Sequence, residues 1–179
     1  MNKSAFRGEK MNKGHMLAVS VGILILSLAG GCEQRLSAGF TEGQRAPSLP
    51  TKTLADADGN FSKVTTYRQP DARMYQYSVD KALQTGKPIV LEFATPGHCT
   101  NCDEQLQMLK AITDKYQDQM IVIHIDQYAN PQAYRAYNVM GDPWTFIIDK
   151  NGIVRFESAG RMLLGELDAA IKRVLIASS

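Results

Sequence analysis

Cys99-Thr100-Asn101-Cys102 is the stretch of this 179-residue chain whose residue types and spacing suit chemistry. An apolar, strand-like run, Pro88-Ile89-Val90-Leu91-Glu92-Phe93, leads into it. A helical pattern of Leu106, Leu109, Ile112 and Tyr116 leads out. The two cysteines therefore open a helix. Unpaired N–H groups and the positive end of the helix dipole there favour a thiolate, the reactive form of the thiol. Spacing i, i+3 puts both sulfurs on one side of the first turn, within bonding reach of each other. Such a pair suits reversible exchange with another disulfide. A purely structural bridge gains little from so short a loop. A zinc site needs a second Cys-x-x-Cys, which the sequence lacks, and His98 is directly adjacent to Cys99, which suits chelation badly. On that flank an imidazolium at His98 would favour the Cys99 thiolate further. His124 lies in an apolar run and is expected as a hydrogen-bonded core histidine.

The elements around the pair alternate. Ser78–Thr85 reads as a short capped helix ending at Gly86, and Pro88–Phe93 as a strand. Cys99–Tyr116 is a helix, Met120–Asp126 a buried β-branched strand and Pro131–Tyr137 a helix. Trp144–Asp149 and Ile153–Glu157 form a hairpin around Lys150-Asn151-Gly152. Leu163–Ile176 closes the chain as an amphipathic helix, with Leu164, Leu167, Ala170, Ile171, Val174 and Leu175 on its apolar side. This order predicts an α/β fold, a central mixed sheet flanked by helices on both faces. Ahead of it, Asp58-Gly59 between strand-like flanks predicts an N-terminal hairpin within an extension over 51–77. Tyr67–Tyr77 is polar and aromatic and carries no clear period.

The first 31 residues differ in kind. Lys3, Arg7, Lys10 and Lys13 precede an apolar stretch, Leu17–Ala29, with small breaks at Ser20 and Gly22, shorter than the about 20 residues of a membrane span. Basic residues, a short apolar core and small residues behind it make a signal peptide, with Met1 or Met11 as its start. Leu28-Ala29-Gly30-Gly31-Cys32 resembles the bacterial lipoprotein signal, in which the cysteine becomes the lipidated N-terminus. Residues 32–50 then read as a Gly-, Ser- and Pro-containing tether, and 78–179 as the main domain. An ordinary cleaved signal, which would leave a soluble secreted or periplasmic domain, and an uncleaved short anchor are the other readings of the leader. All three place the domain outside the cytoplasm, with the lipoprotein reading setting it in the cell envelope on the periplasmic side, where disulfides persist. The 20 Lys and Arg lose four with the leader and the 18 Asp and Glu lose one, so a balance of −1 remains. No basic patch points to nucleic acid.

The motifs together resemble the thioredoxin superfamily over about Thr85–Ile176. Gly86–Phe93 resembles the strand before its active site, and Cys99-Thr100-Asn101-Cys102 its redox motif. Tyr137–Pro143 resembles the loop that holds its cis-proline, and Asp149-Lys150-Asn151-Gly152 the following hairpin. Gly43–Pro47 and Asp58-Gly59 more loosely resemble the start of envelope thioredoxins and peroxiredoxin-like proteins. The resemblance implies Cys99 as attacking thiolate, Cys102 as resolving thiol, and a redox-active Cys99–Cys102 disulfide. It further implies a cis Pro143 facing the cysteines at the substrate-binding edge, and Glu92 as the buried acid that moves the Cys102 proton. His98, Asp142 and Trp144 fall at the same edge, where they depart from the family pattern. Val122 stands where a lysine often pairs with the buried acid, and Trp144 precedes Thr145 where the threonine usually follows the proline directly. Asp142 reads as a solvated residue or, facing the sulfurs, as a charge that would oppose a thiolate; Trp144 reads as a packing residue first and as a shield of the motif second.

The expected function is a membrane-tethered, extracytoplasmic thiol–disulfide oxidoreductase that reduces protein disulfides without metal or organic cofactor. The implied partners are disulfide-bearing proteins such as apo-cytochrome c or its maturation factors, a membrane thiol reductase as electron donor, and the lipid bilayer through Cys32. The same cysteines also fit a Cu(I)-binding metallochaperone or an envelope dithiol oxidase. A thiol peroxidase fits less, because its Thr and Cys in a Pro-rich loop are missing.

Overall fold

The computed structural model describes residues 42–177, so the leader, its start and Cys32 lie outside the described residues. Strands β1 (Ile89–Phe93), β2 (Ile121–Ile125), β3 (Trp144–Ile148) and β4 (Val154–Ala159) form one sheet in the order β2-β1-β3-β4. β2 runs parallel to β1, β3 antiparallel to β1, and β4 antiparallel to β3. The helices are α1 (Val79–Gln84), α2 (Thr100–Tyr116), α3 (Pro131–Ala136) and α4 (Leu164–Ala177). This is the mixed, helix-flanked α/β sheet that the sequence predicts, with element ends shifted by a residue or two.

Strand alternation divides the core. Ile89, Leu91, Phe93, Ile123, Ile125, Phe146 and Ile148 pack on one face with Val79 and Ala82 of α1 and Ala133 and Tyr134 of α3. Phe93 centres that layer, its ring 5.0 Å from Tyr134, 5.2 Å from Tyr137 and 5.7 Å from Phe146. Val90, Val122 and Ile147 pack on the other face with Leu106, Leu109 and Ile112 of α2 and Leu167, Ile171 and Val174 of α4. Glu92, His124 and Thr145 share this second face by the same period of two. They also stand side by side in register, with Glu92 opposite His124 on β2 and Thr145 on β3. A buried polar row thus crosses the sheet on the side of α2.

The N-terminal hairpin is a correction. Asp58 and Gly59 both take positive φ, 53° and 77°, as a tight turn at Asp-Gly requires. The flanks do not pair as strands. The Leu54 N–H bonds the Tyr75 carbonyl instead, and the Asn60 side chain caps a 3-10 turn at Phe61–Lys63. Ala57, Val64, Tyr67, Met74 and Tyr75 bury themselves in the α2-side core, so the extension is held by packing rather than by a ladder. The tether expected to reach residue 50 is likewise docked from Gly43 onward. Gly43 N–H bonds Val154 O, Val154 N–H bonds Gln44 O, and Ala46 N–H bonds Gly152 O. Among the described residues no helix is long and apolar enough to cross a membrane.

Candidate active site

Cys99 is the N-cap of α2: its backbone is extended, and its Sγ accepts the Cys102 N–H at 3.1 Å. The sulfur therefore occupies the place of a capping oxygen, where it meets the unpaired N–H groups of the first turn. Gly97 enters this turn at φ +85°, a conformation that costs glycine least. Cys99 and Cys102 are disulfide-bonded, with Cα atoms 5.2 Å apart. Cys99 is half-buried, whereas Cys102 is fully buried. An external thiol or disulfide thus meets Cys99 first.

The loop before β3 faces this pair. The Asp142–Pro143 peptide is cis, and the Asp142 carbonyl oxygen lies 4.0 Å from Cys99 Sγ. Pro143 is buried, and its own carbonyl accepts the Gly160 N–H at 2.8 Å, which ties the loop to the end of β4. Asp142 is half-buried, and its negative charge reaches Glu92, Tyr134 and His124.

Glu92 is fully buried. Its Oε2 accepts the Thr145 hydroxyl at 2.7 Å and faces the Gln105 amide nitrogen at 3.5 Å. Among the described residues no group bonds Oε1. Burial pushes the carboxyl up to about 8; the Thr145 and Gln105 hydrogen bonds hold it back, and the Asp142 charge raises it further. A carboxyl poised there accepts and releases a proton near neutral pH.

His124 is buried beside it and fully bonded. Nε2 lies 3.0 Å from the Ala94 carbonyl oxygen, and Nδ1 lies 2.7 Å from the Tyr75 hydroxyl. A carbonyl only accepts, so Nε2 carries the hydrogen, and neutral Nδ1 accepts from Tyr75. Burial pushes the imidazole down, which keeps it neutral. The core reading of His124 therefore fits its contacts. Asp126 fastens the extension to the same end of the sheet: its Oδ2 accepts both the N–H and the hydroxyl of Thr66 at 2.7 Å. Thr66 Oγ1 also lies 2.8 Å from the carbonyl of Pro96, in the loop that leads to the motif.

The structure brings Cys99, Cys102, Glu92, Asp142 and Pro143 together and leaves two candidates aside. His98 is exposed, with its ring 6.4 Å from that of Tyr128. Trp144 takes the packing role. Strand alternation turns it to the face opposite Cys102, where it stacks on Phe146 at 6.2 Å, so it does not shield the motif. Sequence reading missed Gln105 and Tyr75 and saw Thr145 only as an oddity of spacing. Gln105 left a signal: a polar residue inside the helical stripe of Cys102, Leu106, Leu109 and Ile112.

The thioredoxin family model matches residues 71–173. No curated protein matches. Among solved structures, the chain is similar to thioredoxin-2 of the malaria parasite, described as a component of that parasite's protein secretion machinery. The two are 21% identical with a TM-score of 0.46, over 49% of this chain and 82% of that one. It is also similar to chloroplastic thioredoxin z, at 16% identity and a TM-score of 0.48, over 52% of this chain and 82% of that one.

Proposed function

The chain belongs to the thioredoxin family, and from that premise we propose an envelope protein, held to the membrane by a lipid on Cys32, that reduces disulfides of other proteins. The observation that carries the reading is the asymmetry of the pair. Cys99 is reachable and caps the helix with its sulfur, while Cys102 is sealed behind it on the sheet face that holds Glu92.

The reaction follows from that asymmetry. Reduced Cys99, as thiolate, attacks one sulfur of a substrate disulfide. That S–S bond breaks, a mixed disulfide with Cys99 forms, and the first substrate sulfur leaves and takes a proton from solvent. Cys102 then gives its proton to Glu92 and attacks Cys99 Sγ. The Cys99–Cys102 bond forms, and the second substrate sulfur leaves as a thiolate. Two electrons pass from the dithiol to the substrate. The cis Pro143 loop lies against Cys99, where it can align an extended substrate strand. A membrane thiol reductase outside the cytoplasm resupplies the electrons.

The envelope setting rests on the leader and on Cys32. The reducing direction rests on Thr100-Asn101, which does not match the Pro-His of the strongly oxidising relatives. The test is trapping. Cys102→Ser accumulates mixed disulfides with substrate proteins, released by dithiothreitol, and Cys99→Ser forms none and loses insulin-disulfide reduction. Full turnover by Cys99→Ser overturns the mechanism.

A further inference from the structure

Gln105 stands where α2 should be apolar, and both ends of its amide are used. Its Oε1 accepts the Met162 N–H at 3.0 Å, and its Nε2 faces Glu92 Oε2 at 3.5 Å. The Met162 N–H fixes which way round the amide sits. A flipped side chain would set one donor against another at Met162 and leave Glu92 facing an oxygen. Met162 belongs to the segment between β4 and α4, so a backbone N–H of that segment orients a side chain whose other end meets the buried acid.

We propose that Gln105, held by the Met162 N–H, is a positioning residue that, with Thr145, occupies Oε2 of Glu92 and leaves Oε1 as the oxygen that takes the proton. This rests on the oxidoreductase reading only for its catalytic consequence; the geometry stands without it. Oε2 already meets two donors, the Thr145 hydroxyl and the Gln105 amide. Oε1 is buried and has no partner among the described residues. His124, the neighbour in register on β2, spends both ring nitrogens on Tyr75 and Ala94 and offers Glu92 no hydrogen. On β4 the residue in register with Thr145 is Ser158, which does not titrate. Among the described residues the titratable groups around Glu92 are thus His124 on β2, Asp142 ahead of β3, and Tyr75 behind His124, with Cys102 on α2 held in the disulfide. No cation is among them, so neutral donors alone hold the carboxylate, and their removal shifts its proton affinity upward.

The experiment is the titration of the Glu92 carboxyl carbon by NMR, in full-length oxidised protein carrying labelled glutamate. The pH profile of insulin-disulfide reduction is measured beside it. Gln105→Met keeps the size and removes the donor. The Glu92 midpoint is expected to rise by about one pH unit, because a hydrogen bond to a charged group is lost and the contact is long. Thr145→Val raises it at least as far, and Thr145→Ser, which keeps the hydroxyl, leaves it in place. The basic limb of the pH–rate profile moves with the midpoint. A Gln105→Met midpoint equal to that of the parent overturns the proposal, even with activity intact. Absence of reductase activity together with a shifted midpoint overturns the functional reading instead. Unchanged urea midpoints at acid pH in Gln105→Met and Thr145→Val separate tuning from unfolding; if either variant unfolds there, Thr145→Ser against the parent reads the hydroxyl alone, and a midpoint shift in Thr145→Ser overturns the proposal.

Discussion

Glu92→Gln is expected to change stability with a sign that depends on pH. The carboxyl is pushed from 4.5 to about 8 in the folded protein, chiefly by burial. Below the unfolded value both states hold the proton, and Glu92 contributes nothing to pH dependence. As pH rises from there, the unfolded chain ionises first, so the folded state loses stability until the folded value is passed. At about 1.4 kcal/mol per unit, the loss above that point is roughly 5 kcal/mol as an upper bound. Glutamine cannot ionise and escapes this cost. Its amide nitrogen takes the place of Oε1, where no acceptor waits, at a cost of about 1–3 kcal/mol. The variant is therefore about 1–3 kcal/mol less stable than the parent near pH 4 and about 2–4 kcal/mol more stable near pH 9, with the curves crossing between about pH 5 and 7. Urea unfolding of the oxidised form measures this directly, since disulfide-bonded cysteines do not titrate. A variant less stable than the parent across the whole range would refute the assignment of Glu92 as a buried, proton-binding carboxyl.

Tyr75→Phe keeps the ring and removes the hydroxyl that donates to His124 Nδ1. The buried nitrogen is left unpaired, and unfolding free energy falls by about 1–3 kcal/mol in urea titrations; an unchanged midpoint contradicts the tautomer assigned to His124. Asp142→Asn removes the charge that raises the Glu92 carboxyl. The NMR midpoint of Glu92 moves toward acid, by up to about one unit, and a shift toward base contradicts the placement of Asp142.

The sheet was legible because the strands speak in one voice. β1 and β2 are buried at every position, so they read as short β-branched runs, and α2 and α4 carry apolar stripes of helical period. The motif was legible because a Cys-x-x-Cys between a strand and a helix leaves few other roles. The buried polar row was not legible. Glu92, His124 and Thr145 lie far apart in sequence, and only the register of three strands sets them side by side. The face that Trp144 packs on was not legible for the converse reason: one residue of spacing after Pro143 turns a side chain to the other face of a strand. The hairpin failed because Asp58-Gly59 marks a turn and says nothing about what its flanks pair with. Here they pair with Tyr75 and a 3-10 turn. Gln105 shows what can be recovered: a polar residue within an apolar helical stripe signals a buried partner before that partner is known.

The equilibrium reduction potential of the Cys99–Cys102 pair tests the central claim most directly. The protein is equilibrated in defined thiol–disulfide buffers and its free thiols are counted. The account predicts a reversible two-electron couple near that of thioredoxin, about −270 mV. A value near about −120 mV contradicts the reducing direction and makes the protein a disulfide donor. A pair that forms no reversible disulfide contradicts the oxidoreductase account altogether.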